Sequence, residues 1–160
     1  MQSHLRTLTL GTVLAIMAPG LSLTAQVTDR AIGSWSLDLA KSKYELTAAP
    51  KSLTVTYTLA GKVLTVATKG VDAQGNPTAT GYTSAYDGKD VPSTGGTNYD
   101  MVSMTQINAS TVKITRKKGT TTVATLTRVV SADGKVLTIT TVGTNAQGKT
   151  AKDIGVFERQ

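Results

Sequence analysis

The sequence predicts an all-β domain, an antiparallel up-and-down meander that closes into a calyx-shaped barrel of eight to ten strands. Two observations carry this prediction: apolar and polar residues alternate with a period of two, and turn residues recur about every ten positions. The chain is also rich in Thr and Val, which favour pleated, half-buried surfaces. A meander of this length must protect its edge strands, and closure into a barrel does so directly.

The first element is a predicted signal peptide, residues 1–25. A short polar start carries Arg6, an apolar run covers 8–18, and Pro19 and Gly20 end it. A membrane-spanning helix needs about 20 apolar residues, so we favour cleavage after Ala25 over an uncleaved anchor. Residues 26–160 then form a single β-barrel domain with no integral membrane segment. The protein is expected to be exported, to the periplasm or the medium.

Ten strand-like segments follow along the chain. In order they are 33–39, 51–60, 62–71, 78–86, 89–92, 99–107, 111–117, 121–131, 135–143 and 150–159. In the second of them Leu53, Val55 and Tyr57 share one face, which is typical of a strand with one buried side. Asp-Gly pairs between segments supply the positive φ of tight hairpins. Residues 38–46 depart from this pattern, and they predict a helical turn or an ordered loop across one barrel end.

The composition excludes several chemistries. The single His is His4, inside the predicted leader, and the chain has no Cys. A Ser-His-Asp triad, a Cys nucleophile, zinc held by His or Cys and haem held by either are therefore excluded from the mature chain. We expect no enzyme, no catalytic residue, no metal and no cofactor.

The chain has a formal net charge of +7, but its charges are scattered. The one basic run, Arg116-Lys117-Lys118, precedes Gly119 and is interpreted as a solvated hairpin tip. Basic and aromatic residues are not interleaved on one face, so nucleic acid is not an expected partner.

Five residues are candidates for binding a ligand inside the barrel: Tyr57, Tyr82, Tyr86, Met104 and Arg128. Tyr82 and Tyr86 alternate along one strand face, and Met suits an adaptable apolar wall. Arg128 is in phase with two apolar neighbours, so it is either inside and paired or on a face assigned wrongly. The alternative places the Tyr rings outside the barrel and Arg128 at a strand margin.

Gly33-Ser34-Trp35 opens the first strand of the meander, and this Gly-x-Trp resembles the start of the calycin superfamily, which includes lipocalins, fatty-acid-binding proteins and the avidin type. The chain also resembles short exported bacterial proteins described as lipocalin-like. The resemblance implies that Trp35 closes one barrel end and that an Arg from a late strand packs over its ring. Arg159 is the candidate for that partner and Arg128 the alternative. Fatty-acid-binding barrels hold a carboxylate with an interior Arg and Tyr, parts that Arg128 and Tyr82 could play by analogy.

Two functions remain open from the sequence. The first is binding of a small, mostly apolar molecule, hydrophobic or amphipathic, inside the barrel. With one Trp, one Phe and five Tyr, the chain has few large side chains to fill its own interior. The second is a non-catalytic envelope or secreted interaction module without an internal ligand. The sequence does not indicate an oligomeric state.

Overall fold

The computed structural model describes residues 28–160, and the predicted signal peptide lies outside them. Eleven β-strands form in this part of the chain. They are β1 (Gly33–Leu37), β2 (Lys43–Tyr44), β3 (Ser52–Ala60), β4 (Val63–Val71), β5 (Pro77–Ser84), β6 (Val91–Pro92), β7 (Met101–Asn108), β8 (Thr111–Lys118), β9 (Thr121–Val130), β10 (Val136–Thr144) and β11 (Thr150–Arg159). The predicted all-β class and the ten predicted segments are confirmed.

The strands form one antiparallel sheet that curls into a nearly closed ten-strand barrel. Its order is β5-β4-β3-β1-β11-β10-β9-β8-β7-β6, so β1 lies between β3 and β11 and the other neighbours follow the meander. The seam between β5 and the segment after β6 is closed by a single bridge. There Gly81 and Thr94 exchange backbone hydrogen bonds of 3.1 and 2.9 Å.

Beside this seam a glycine permits close backbone approach. Gly95 has a φ of +75°, and a Cβ there would lie 1.9 Å from the Ala79 carbonyl oxygen. Only a residue without a side chain can hold the seam at this distance.

The sequence of 38–46 predicts either a helical turn or an ordered loop. The structure has both of them in this segment, and it also has a short strand. A 3-10 turn covers Leu39–Lys41, and Asp38 caps it by accepting from the backbone N–H groups of Ala40 and Lys41. The two-residue strand β2 follows and pairs with β11. This short strand is absent from the sequence prediction because two residues are too few to show alternation.

The core lies inside the barrel, where the buried residues of each strand alternate with exposed ones. Fully buried side chains include Trp35, Leu64, Val102, Met104, Val112, Arg128 and Leu137. Arg128 is the one charged side chain in this set. Burial of a charge is costly unless the charge is paired, so a partner for Arg128 is expected. Within residues 28–160, no helix is long and apolar enough to cross a membrane.

Candidate functional site

A cavity of about 420 Å³ lies inside one half of the barrel. Apolar and aromatic side chains form most of its wall: Leu53, Val55, Tyr57, Val66, Tyr82, Tyr99, Ile114, Leu126, Ile139 and Phe157. The cavity reaches the barrel end where residues 47–50, the β4–β5 turn at 72–74 and Thr97 meet. Its size falls within the range of about 300–1,000 Å³ that is typical of small-molecule sites.

Arg116 brings a positive charge to this wall. Its guanidinium lies 4.4 Å from the centroid of the Tyr99 ring, which holds it in place by a cation–π contact. Among the described residues, no carboxylate lies within ion-pair distance of Arg116 and no hydrogen bond joins its side chain to the protein. The guanidinium donors are therefore free for an anionic group beside the cavity.

The two carboxylates on the wall are already occupied. Asp72 accepts from the backbone and side-chain N–H groups of Asn76 in its own turn. Asp153 accepts four hydrogen bonds from residues 45–47. Neither carboxylate pairs with Arg116. The charged group on the wall that has no ion-pair or hydrogen-bond partner among the described residues is therefore a cation.

Tyr57 and Tyr82, two of the residues predicted to bind a ligand, line the cavity. Burial raises the pKa of both phenols above the ordinary value of tyrosine, so both are neutral at neutral pH. Burial, with the Asp153 charge, also raises the pKa of Tyr44 at the mouth to about 12. The wall therefore presents neutral phenol groups beside the Arg116 cation and the two hydrogen-bonded carboxylates.

Arg128 is buried but does not line the cavity. Its guanidinium forms an ion pair with Asp29, and both side chains are fully buried. The same Asp29 carboxylate accepts from the Tyr86 hydroxyl. Of the two alternatives left open by the sequence, the structure has Arg128 inside and paired, and its Nε and Nη1 are buried without a hydrogen-bond partner among the described residues.

Tyr86 and Met104 also lie away from the cavity. Met104 is fully buried in the core. Tyr86 reaches Asp29 from a strained backbone. Its φ is +60°, and no other non-glycine residue among the described ones has a positive φ. The structure thus joins Tyr86 and Arg128 to Asp29 and places Tyr57 against Arg128, while Met104 belongs to the same buried core, with no polar partner for its side chain in residues 28–160.

The opposite barrel end is closed by Trp35 and Arg159. The Arg159 guanidinium lies 4.2 Å from the Trp35 ring centroid, and its three nitrogens each donate to a backbone carbonyl at 2.8 Å. Trp35 Nε1 donates to the Ala31 carbonyl at 2.6 Å. Gly33 has a φ of +119°, and a Cβ there would lie 2.9 Å from Arg159 Nη1. The glycine of the Gly-x-Trp motif therefore makes room for the arginine, while the alternative partner, Arg128, lies over Tyr57 instead.

This geometry can be compared with known proteins. No protein-family model and no curated protein matches the sequence. Among solved structures, zebrafish ileal bile acid-binding protein complexed with cholic acid matches with a TM-score of 0.54 and 16% identity, over 82% of this chain and 100% of that one. The fold is calycin-like.

Two further structures resemble this calycin-like barrel. A redesigned β-barrel has a TM-score of 0.46 and 15% identity, over 87% of this chain and 99% of that one. Apocrustacyanin C1 has a TM-score of 0.45 and 11% identity, over 82% of this chain and 62% of that one.

Three residues of the candidate site and its surroundings are not predicted from the sequence: Arg116, Asp153 and Asp29. The sequence predicts Arg116 in a solvated hairpin tip, and this prediction is wrong for Arg116, which shares a face with Val112 and Ile114 and lines the cavity. Asp153 carries the same signal, because it alternates in phase with Phe157. Asp29 precedes the first strand, where no alternation exists to place it. In residues 28–160, no group of three or more His, Cys, Asp or Glu side chains is arranged to hold a metal.

Proposed function

We propose that this protein binds a small amphipathic molecule whose apolar body fills the barrel cavity and whose anionic end lies against Arg116. The observation that carries the proposal is the position of Arg116: a cation on the wall of a largely apolar cavity, with no ion-pair partner among residues 28–160. A charge held at a low-dielectric surface interacts strongly with an opposite charge, and this arrangement favours an anion over a neutral molecule of the same shape.

The apolar wall supports the same proposal. Leu53, Val66, Leu126, Ile139 and Phe157 are well placed to receive hydrocarbon, because apolar burial contributes about 25 cal/mol for each Å² removed from water. The threonines of the wall add hydroxyl groups that can hydrogen-bond to a few polar substituents. They are Thr47, Thr68, Thr78, Thr80, Thr97 and Thr141.

The similarity in fold to zebrafish ileal bile acid-binding protein, which was complexed with cholic acid, is consistent with this function. The alternative, an interaction module without an internal ligand, requires a barrel filled by its own side chains. The cavity counts against that alternative. Export through the leader, and the absence of enzymatic activity, stay predictions.

Isothermal titration calorimetry with two matched ligands tests the proposal. A straight-chain carboxylic acid and the primary alcohol of the same chain length have the same hydrocarbon body, and they differ in charge. We expect both to bind the wild type, the acid more tightly. Arg116→Gln should weaken binding of the acid by about 10-fold or more, because a charge-assisted hydrogen bond is lost. The same variant should leave binding of the alcohol unchanged.

Lys118→Gln is the matched control, because Lys118 is on the same hairpin, is exposed and pairs with Asp100 outside the cavity. This variant should bind the acid as the wild type does. If neither ligand binds the wild type, the proposed function fails. If Arg116→Gln and Lys118→Gln weaken the acid equally, the effect is one of overall charge and the role of Arg116 fails.

A further inference from the structure

A short loop covers the mouth of the cavity between two anchored strands. We define the lid loop as residues 45–50, which connect β2 to β3. Thr47, Ala48 and Pro50 of this loop form part of the cavity wall, so a molecule that enters or leaves at this end must pass it. Most of the lid loop is exposed, whereas β2 and β3 on either side are paired in the sheet.

One carboxylate holds the lid loop. Asp153 Oδ1 accepts from the backbone N–H groups of Glu45, Leu46 and Thr47 at 2.8, 2.7 and 3.3 Å, and Oδ2 accepts from the Thr47 hydroxyl at 2.7 Å. These four are all the hydrogen bonds that join residues 45–50 to the rest of the described chain. Asp153 is only 6% exposed, so its bonds are shielded from competing water.

The apolar contacts of the lid loop are few by comparison. Leu46 lies against β10, where a Cβ at Gly143 would be 3.2 Å from Leu46 Cδ2. Ala48 and Ala49 are exposed and add little burial. The closed position of the loop therefore depends on Asp153 more than on packing.

We infer that Asp153 is a latch: it positions the lid loop over the cavity, and opening of this loop controls how fast a ligand enters and leaves. The inference rests on the proposed function. Loss of the latch should raise the rates of ligand association and dissociation together, because the barrier to passage falls in both directions. It should change the affinity much less than it changes the rates, because the deeper wall contacts are untouched.

The experiment compares Asp153→Ala and the conservative Asp153→Asn with the wild type in stopped-flow binding of a fluorescent fatty acid. We expect Asp153→Ala to raise the dissociation rate by about 10-fold or more, with Asp153→Asn in between. Thr47→Val, which removes only the hydroxyl bond, should give a smaller increase. Asp133→Ala is the matched control, because Asp133 holds the backbone N–H of Lys135 in a hairpin at the opposite end.

Amide hydrogen exchange on the unliganded protein gives a second readout. Glu45, Leu46 and Thr47 should lose protection in Asp153→Ala, while the amides of β10 and β11 keep theirs, which also verifies that the variant is folded. Unchanged rates and unchanged protection overturn the latch and leave the proposed function intact. If Asp153→Ala loses protection in the lid loop but the wild type binds no fatty acid, Asp153 still holds the loop and the proposed function is overturned.

Discussion

The Arg128 guanidinium lies 4.6 Å from the centroid of the Tyr57 ring, and the same ring forms part of the cavity wall. One aromatic side chain therefore contacts both the buried ion pair and the space proposed for a ligand. The cation–π contact and the Asp29 carboxylate together compensate a fully buried charge. The ion pair thus fixes the position of a ring on which the shape of the cavity depends.

Removing the carboxylate of this pair should be costly. In Asp29→Ala, Arg128 remains buried with no counter-charge, and the free energy of unfolding should fall by about 3–5 kcal/mol. Urea denaturation followed by circular dichroism measures this loss. The double variant Asp29→Ala/Arg128→Met should recover part of it, because no uncompensated charge remains. A loss below about 1 kcal/mol in the single variant would contradict the structural role assigned to the pair.

Arg159 should be irreplaceable by lysine. Arg159→Lys keeps the charge but loses the planar group that donates to three carbonyls and covers Trp35, and we expect about 2–3 kcal/mol of destabilisation. Trp35 is the only tryptophan, so its fluorescence reports this end directly, and its emission should shift to the red as water reaches the ring. Arg30→Lys, which affects one exposed hydrogen bond, serves as control. Equal effects of the two variants would refute the role of Arg159.

Stability should fall at high pH through the buried phenols. Burial raises the pKa values of Tyr57, Tyr82 and Tyr86 in the folded state above the unfolded value of about 10. The contribution of these groups is fully present below about pH 10 and is lost as the pH rises further, because the unfolded chain then releases protons that the folded chain retains. Urea denaturation at about pH 8 and about pH 11 should show the drop. Tyr82→Phe should reduce it, and an identical drop in that variant would exclude Tyr82 as a source.

The cavity should shrink when Gly155 gains a side chain. A Cβ at this position would lie 2.9 Å from the Phe157 ring and 3.6 Å from the Tyr44 hydroxyl, so Gly155→Ala must displace the ring. We expect about 10-fold weaker binding of the fatty acid, with the barrel still folded. Gly81→Ala is the control, because its Cβ would meet its nearest atom, the Val66 carbonyl oxygen, at 3.4 Å. Unaltered affinity in Gly155→Ala would place the ligand elsewhere.

Much of the site was within reach of alternation alone. The period of two places Tyr57 and Tyr82 each in phase with its neighbours on one strand face, and the structure has both of these faces inside, lining the cavity. The same rule applied to β8 places Arg116 on the face of Val112 and Ile114. The adjacent lysines instead favour the interpretation of the whole basic run as a solvated hairpin tip. A bulge between Arg116 and Lys117 in the pairing with β9 ends the alternation at that point, which is why the run of three cations does not share one environment.

Local alternation and turn chemistry in the sequence predict the all-β class and the order and approximate limits of the strands, but they leave the face of Arg128 open. The folded barrel sets which partners meet across its interior, and it has Arg128 inside, paired with Asp29. Asp29 and Arg128 are 99 residues apart, and Asp153 meets the lid loop from more than 100 residues away. Such contacts depend on how the sheet curls and on where the chain before β1 enters the barrel. A period of two says which side a residue faces, and it carries no information about what lies opposite.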